Sequence, residues 1–202
     1  MSALSGKASP LKAPLYLALL HYPVYKKSGE IITTSITPMD LHDIARSAMT
    51  FGVRRYFVVN PMPTMQYLAR RVEEFWRSEY GARYNQTRTE ALSILTICSH
   101  LEECVAEIVE RHGEKPVLVA TSAREYDDCR FIGYDDLAGK LREEERPYLL
   151  LLGTGWGLIH EFLRRCDWLL EPVQGAGGYN HLSVRGAAAI ILDRLCGNRK
   201  AG

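Results

Sequence analysis

Six short runs of apolar residues recur along the chain, separated by longer stretches that mix polar and apolar positions. Within each run the apolar residues stand at consecutive positions and do not alternate with polar ones. That pattern is typical of strands covered on both faces, as in a parallel sheet. The runs occupy residues 15–20, 55–60, 91–97, 116–121, 148–153 and 167–172.

The stretches between these runs have helical periodicity. The clearest start signal is Thr37-Pro38-Met39-Asp40, which offers a capping hydroxyl, a proline for the first turn and an acidic residue behind it. Alternating strands and helices predict an α/β fold: a mostly parallel six-stranded sheet with helices on both faces. The predicted helices cover about 38–50, 65–79, 101–111, 135–144, 157–165 and 183–196.

Length and composition favour one domain in a chain of 202 residues, of which 47% are hydrophobic and 24% charged. Neither a repeat nor a Pro/Ser-rich linker divides it, so we expect a flexible leader at 1–14 and a single domain at 15–202. No apolar stretch approaches the roughly 20 residues that span a bilayer, and residues 1–14 lack the apolar core of a signal peptide. With five cysteines and no CxxC pair, we expect reduced thiols and a cytoplasmic location.

The charges nearly cancel, with 25 Lys+Arg against 24 Asp+Glu, but the two ends are basic and the middle is acidic. Arginine suits bidentate phosphate contacts. Arg46, Arg54, Arg83 and Arg88 lie in the basic first half, several of them beside Tyr or Asn, and are our candidates for RNA contacts. The alternative is a solvated helix surface.

Three loops that follow predicted strands are candidates for a ligand site, because ligands of such sheets bind outside the carboxyl ends of the strands. They are Gly153-Thr154-Gly155-Trp156-Gly157, the segment 174–181 with three glycines, and residues 121–123. Glycine lets the backbone approach a ligand closely, although a tight turn also explains part of the first loop. Gly153-x-Gly155 with Glu171 resembles a dinucleotide fingerprint, but Leu158 stands where its third glycine belongs.

The last predicted helix begins after Ser183, a good N-cap, and its first half contains Gly186 and three alanines. Such small residues permit close approach of another backbone, a ligand or a partner helix. His100 and Cys104 are spaced for one helix face, but no second pair completes a set of four ligands. We therefore expect no metal site.

The segments YLLLLGTGWGL, DWLLEPVQGAGGYNHLSVRGAAAIILDRL, HDIAR and ARYN resemble those of SPOUT-class RNA methyltransferases. More narrowly, the chain is similar to small bacterial S-adenosylmethionine (SAM)-dependent members related to the C-terminal part of tRNA guanine-N1 methyltransferases, from about Leu15 to Leu195. The resemblance implies a C-terminal deep trefoil knot, SAM as cofactor, and a homodimer whose interface includes the last helix. It also implies methyl transfer to tRNA or rRNA.

By position, the resemblance implies a cofactor pocket built from the three loops and the start of the last helix. Its residues are Thr121, Ser122, Gly153, Thr154, Gly155, Trp156, Gly157, Pro172, Val173, Tyr179, Asn180, His181, Leu182, Ser183 and Ala187.

The catalytic residue stays open, because the family's aspartate or arginine has no clear counterpart here. His181, Arg185 and Asn180 are the nearest candidates, and histidine is the only one of these residue types whose unperturbed pKa suits a base near neutrality. The alternative for His181 is a purely structural role in its loop. Two other functions remain: a non-catalytic SAM-binding protein associated with RNA, and a nicotinamide-dependent oxidoreductase.

Overall fold

A seven-stranded sheet forms the centre of the protein in the computed structural model, which describes residues 11–198. All its pairings are parallel, in the order β5-β4-β1-β8-β6-β9-β7. A separate two-stranded antiparallel hairpin, β2-β3, follows β1. The strands are β1 Leu15–Leu20, β2 Val24–Tyr25, β3 Ile31–Ile32, β4 Tyr56–Val59, β5 Leu95–Cys98, β6 Val117–Thr121, β7 Phe131–Ile132, β8 Tyr148–Gly153 and β9 Trp168–Leu170.

Helices cover both faces of the sheet. Residues of α1, α2, α4, α6 and α8 pack with Leu15, Leu17 and Leu19 of β1 on one face. Residues of α5 and α7 pack on the other face, with Tyr16 and Leu20. The helices are α1 Pro38–Thr50, α2 Pro63–Arg77, α3 Glu79–Tyr84, α4 Gln86–Leu92, α5 Leu101–His112, α6 Tyr134–Glu143, α7 His160–Leu163 and α8 Val184–Cys196.

The predicted fold class is confirmed, but the predicted number of six strands was wrong. The missed strand of the main sheet, β7, has only two residues at the edge of the sheet. A pair such as Phe131-Ile132 is too short to form an apolar run that stands out in a sequence. The same is true of the two strands of the hairpin.

Three predicted elements also differ clearly in their bounds. The helix predicted at 65–79 corresponds to α2, and two further helices, α3 and α4, follow it before the next strand. The strand predicted at 91–97 begins only at Leu95. Ala91 and Leu92 are apolar because they bury the inner face of α4, and not because they belong to the strand. The helix predicted at 157–165 shrinks to α7, since Gly157 has φ +97° and Leu158 pairs with Val24 of the hairpin.

The predicted leader at 1–14 is described only in its last four residues, since 1–10 lie outside the described residues. The backbone N–H groups of Lys12 and Ala13 both donate to the carbonyl of Leu141, at 3.1 Å each. Ala13 is buried in the core. This contact brings the chain to the start of β1 beside α6.

Helix α8 packs closely against α1 and α6. Its predicted N-cap is confirmed, because the Ser183 hydroxyl accepts from the backbone N–H of Gly186. Ala188 is fully buried, so one alanine of the small-residue stretch serves close packing within the protein itself. The start of α8 is thereby fixed beside the carboxyl ends of the strands, where the predicted site lies.

Candidate functional site

A cleft of about 400 Å³ opens at the carboxyl ends of β6 and β9. Its walls are the segment after β6 and the glycine-rich segment after β9, which Asn180 joins by donating its side-chain amide to the carbonyl of Ala123 at 3.4 Å. Pockets of this size hold ligands as large as a nucleoside cofactor. The lining residues are Ala123, Glu125, Pro172, Gln174, Gly175, Gly177 and Asn180.

The glycines of this cleft leave its interior open. A Cβ atom placed on Gly175 or Gly177 would meet no other atom within 4 Å. Both positions therefore have space for a ligand to approach the backbone. Glu125 adds one carboxylate to an otherwise uncharged lining, which favours a ligand that carries positive charge.

The loop at 153–157 packs against the hairpin β2-β3. The sequence instead predicted that its glycines let the backbone approach a ligand. The backbone N–H of Trp156 donates to the carbonyl of Tyr25 at 2.9 Å, and that of Gly157 donates to Thr154 at 3.0 Å. Gly155 has φ +59°, and a Cβ there would lie 2.9 Å from the carbonyl oxygen of Tyr25. The close approach that requires glycine at 155 is therefore to the hairpin backbone.

A chain of hydrogen bonds runs beneath this loop from the buried His21. Thr154 donates its hydroxyl to the carbonyl of Leu20 at 3.2 Å, and its oxygen lies 2.5 Å from that of Thr34. Because each hydroxyl has one proton, Thr34 donates to Thr154 and itself accepts from His21 Nδ1 at 2.9 Å. His21 therefore carries its proton on Nδ1, and its buried Nε2 has no hydrogen-bond partner among the described residues.

Burial lowers the pKa of His21 to about 4, although the nearby carboxylate of Asp40 acts in the opposite direction. The imidazole is fully buried, and desolvation disfavours its charged form. His21 is therefore a neutral structural link between β1 and the 153–157 loop at neutral pH.

A second polar group ties α8 to α1. Arg185 Nη1 lies 3.0 Å from a carboxylate oxygen of the buried Asp40, and Arg185 Nε lies 3.5 Å from Asp43. The other oxygen of Asp40 accepts from the hydroxyl of Thr37 at 2.7 Å. A buried carboxylate needs such partners, so Arg185 fixes the start of α8 and, with it, the end of the segment that lines the cleft.

Three rings line the outer rim of the site. His181 packs edge-on against Tyr179, with ring centroids 5.3 Å apart, and against Trp156 at 6.1 Å. All three side chains are exposed. These contacts join the glycine loop after β8 to the segment after β9.

The predicted cofactor residues fall into three groups. Pro172 and Asn180 line the cleft, and Thr121 and Ser122 precede its Ala123 wall. Gly153, Thr154, Gly155, Trp156 and Gly157 form the loop against the hairpin. Trp156 lies on the rim beside His181, which also contacts Tyr179, and the next residue, Leu182, is exposed. Val173 and Ala187 pack against the core beneath the segment after β9, and Ser183 is the N-cap of α8.

Several residues of the site were not predicted. Glu125, Gln174, Gly175 and Gly177 line the cleft, and the last three belong to a segment that the sequence did single out. His21 and Asp40 were missed, because a single polar residue at a strand end or in a helix turn gives no sign of burial.

Three of the four predicted RNA contacts lie on the neighbouring helices α1, α3 and α4, and the fourth lies apart. Arg46 is exposed on α1, while Arg83 and Arg88 lie on α3 and α4. Arg54 lies at the amino end of β4, where its backbone N–H donates to Leu15. That end of a parallel sheet is opposite the cleft, so Arg54 lies apart from the site.

A separate cluster brings Asp128, Cys129 and His160 together, with potential ligand atoms within 4.8 Å of one another. His160 Nε2 lies 2.7 Å from Asp128, and Arg164 lies 3.2 Å from its other oxygen. Burial raises the pKa of the Cys129 thiol. These contacts already neutralise the carboxylate and disfavour the thiolate, so the cluster carries no metal assignment.

Comparison with known families decides the class of protein. A family model described as SAM-dependent RNA methyltransferase matches residues 14–197, which include every loop of the cleft. The chain belongs to the SAM-dependent RNA methyltransferase family. SAM is the cofactor of this family, and its cationic sulfonium fits the carboxylate and the open glycines of the cleft.

Two relatives are similar to this chain in sequence, and one solved structure is similar in fold. An uncharacterized protein of Aquifex aeolicus is 41% identical over 181 residues, 90% of this chain and 87% of its own length. A tRNA (guanine-N(1)-)-methyltransferase of Oleidesulfovibrio alaskensis is 41% identical over 184 residues, which are 91% of this chain but only 42% of that protein. The fold is similar to the SpoU methyltransferase AviRb of Streptomyces viridochromogenes in complex with AdoMet, with TM-score 0.54 and 18% identity over 96% of this chain and 60% of that one.

Acid should destabilise the methyltransferase through His21. In the unfolded chain histidine binds a proton below about pH 6.5, whereas folded His21 does so only near pH 4. Stability is therefore fully present above pH 6.5 and decreases between pH 6.5 and 4, by about 3 kcal/mol from this residue. The unfolding free energy, measured with urea across this pH range, should fall less steeply with decreasing pH in His21→Gln than in wild type. His100→Gln, at an exposed histidine, should show the same pH dependence as wild type.

Two alanine variants distinguish the cost of backbone strain from that of a steric clash between the 153–157 loop and the hairpin. Gly157→Ala places a side chain at positive φ with nothing within 4 Å of the Cβ, and should cost about 1–2 kcal/mol of unfolding free energy. Gly155→Ala adds the contact with Tyr25 O at 2.9 Å and should cost measurably more in urea unfolding. Equal losses would show that the hairpin does not press on Gly155.

Proposed function

We propose that this methyltransferase modifies a nucleotide of tRNA, with SAM bound in the cleft between the segments that follow β6 and β9. The observation that carries the proposal is this open, glycine-lined cleft within the region matched by the family model. The name of the Oleidesulfovibrio relative supports tRNA over rRNA. Because the chain spans only 42% of that relative, the guanine-N1 position is not carried over.

In this proposal the backbone of Gly175 and Gly177 contacts the cofactor, and Pro172 offers it an apolar surface. Glu125 provides negative charge, which favours the sulfonium of SAM in the cleft. When bound, SAM supplies an electrophilic methyl group. The chain's own contribution is to hold the donor and the RNA acceptor in line for displacement, and to exclude competing water.

A protonated acceptor must also lose one proton, and we assign that proton to His181. Arg185 is committed to Asp40 and Asp43, and Asn180 donates to Ala123. Neither side chain is a base. No hydrogen bond occupies the ring nitrogens of His181 within residues 11–198, and its ring lies on the rim beside Trp156, where a nucleobase can reach it.

The test combines cofactor binding with methyl transfer. Wild type should bind SAM by calorimetry and transfer radiolabelled methyl to tRNA from a strain that lacks the protein. Gly177→Leu fills open space in the cleft and should lower SAM affinity at least tenfold, whereas Gly139→Leu, which also meets nothing within 4 Å but lies on α6, should leave it unchanged. His181→Gln should keep SAM affinity and lose transfer.

Other outcomes identify the alternatives. SAM binding without transfer to any RNA indicates a non-catalytic binding protein, and transfer to rRNA alone overturns the choice of tRNA. NAD binding in place of SAM overturns the whole proposal and supports the alternative that the protein is a nicotinamide-dependent oxidoreductase. Transfer by His181→Gln at the wild-type rate removes His181 as the proton acceptor.

We also propose a homodimer in which α8 contributes to a two-fold interface, as the family resemblance implies. Ala188, Ile191, Leu192 and Leu195 are buried in the protein. Ile190 lies on the opposite side of the helix and is partly exposed. An outward aliphatic side chain on this helix suits contact with a second copy.

Ile190→Glu should therefore give monomers by light scattering that remain folded in the absence of urea. A charge at an apolar interface has no partner, and its desolvation opposes association. Ile31→Glu, at an exposed position of the hairpin, is the matched control and should keep the wild-type mass. A wild-type mass for Ile190→Glu would exclude this face of α8 from an interface.

Two further features of the family belong to the same proposal. Residues 171–198 pass from β9 to α8, which packs between α1 and α6, and this course suits the threading of a C-terminal trefoil knot. None of the described helices is long and apolar enough to cross a membrane. A tRNA substrate supports a location in the cytoplasm.

A further inference from the structure

The helices α2 to α4 carry a group of aromatic rings that the methyl-transfer site does not use. The rings of Tyr80 and Tyr84, one turn apart on α3, are nearly parallel, with centroids 6.4 Å apart and planes at 12°. Their side chains are 67% and 72% exposed. Phe75 packs against Tyr80, and Trp76 against Tyr84.

The position of these rings is fixed from below. Gly81 lies between the two tyrosines and approaches α2 so closely that a Cβ would lie 2.5 Å from the carbonyl oxygen of Phe75. The Ser78 hydroxyl caps α3 by accepting from Gly81 N–H at 3.2 Å, and Thr89 of α4 donates to Trp76 O at 2.8 Å. Helix α3 is therefore packed closely on α2, to which α4 is also hydrogen-bonded, and the two rings are presented to solvent.

We propose that Tyr80 and Tyr84 form a stacking platform for unpaired nucleobases of the RNA substrate. The proposal rests on the proposed function, because it needs RNA to be the substrate. Every base has an aromatic face, so stacking on exposed side-chain rings is the general way in which proteins hold single-stranded nucleic acid. A cluster of exposed rings is otherwise unfavourable in water and marks a binding surface.

Positive charge beside the platform favours RNA over a second protein. The guanidinium of Arg88 stacks on Trp76, 4.7 Å from the ring centroid. Its Nε is buried and has no hydrogen-bond partner among the described residues. No carboxylate pairs with Arg88 within residues 11–198, so its charge is uncompensated and attracts a phosphate electrostatically. Arg83 on α3 is paired with Glu79 at the exposed surface, where such a pair exchanges readily for a phosphate.

The platform is also continuous with the methyl-transfer site. His42 of α1 packs edge-on against Trp76, with ring centroids 5.5 Å apart. The next residue, Asp43, pairs with Arg185 at the start of α8. A chain of contacts through α1 thus links Trp76, beneath the rings, to the start of α8, where the segment that lines the cleft ends.

The experiment compares two double variants with wild type. Tyr80→Ala/Tyr84→Ala should weaken binding of a fluorescently labelled, unstructured RNA oligonucleotide at least tenfold in anisotropy titrations, and should slow methyl transfer at low RNA concentration. Tyr80→Phe/Tyr84→Phe keeps the rings and should bind within threefold of wild type. Tyr67→Ala removes a ring that is 66% exposed on α2 and should also bind as wild type.

Salt dependence shows whether the lost contact is stacking. Removing rings should lower affinity and leave the slope of log affinity against log salt unchanged, whereas Arg88→Ala should flatten it by somewhat under one unit. SAM affinity by calorimetry and the unfolding midpoint should match wild type in both tyrosine variants. If the alanine pair unfolds α3, Tyr80→Leu/Tyr84→Leu keeps apolar side chains on the helix without a ring and should still lower RNA affinity at least tenfold.

The possible failures are distinguishable. If wild type binds SAM but no RNA, the proposed function fails and the platform fails with it. If wild type binds and methylates RNA and the alanine pair does so equally well, the platform alone is wrong. If the alanine pair changes only the mass in light scattering, the rings are an interface between copies of the chain, which also overturns the platform.

Discussion

The buried carboxylate of Asp40 is the constraint on which the arrangement of the site depends. A carboxylate out of contact with water requires a positive or hydrogen-bonded partner, and Asp40 obtains both from Arg185 and Thr37. The first partner belongs to the last helix and the second caps the first long helix. One charge therefore holds together segments separated by most of the chain. The loop that ends at Ser183 has its end point fixed by the same contact, and this loop is a wall of the cleft.

Much of the fold was predictable because parallel strands buried on both faces appear in the sequence as runs of consecutive apolar residues. The six apolar runs all correspond to strands of the sheet, and the capping residues Thr37 and Ser183 occupy their predicted positions. What escaped prediction is short or depends on distant partners. Two-residue strands are too short to show a periodicity. Ala91 and Leu92 are apolar because they form the buried face of α4, which packs on the same core as the strand.

The site was predictable in outline and less so in detail. The loops after the strands were correctly expected to meet, because the carboxyl ends of parallel strands lie at one edge. The role of Gly155 was not predictable, since the group that approaches it is the carbonyl of Tyr25, far away in sequence. The same holds for Glu125 in the cleft and for His21, whose neutral state is a product of burial.

The three helices between β4 and β5 occupy a single stretch of sequence, 63–92, whereas the cleft is built from residues after 120. Helix α3 contributes only Gly81 to the buried residues. The surface offered by that stretch can consequently diverge, or be exchanged for another, while the loops around the cleft keep their contacts. With RNA held on this stretch as proposed, a change of target RNA and a change of chemistry are separate evolutionary events.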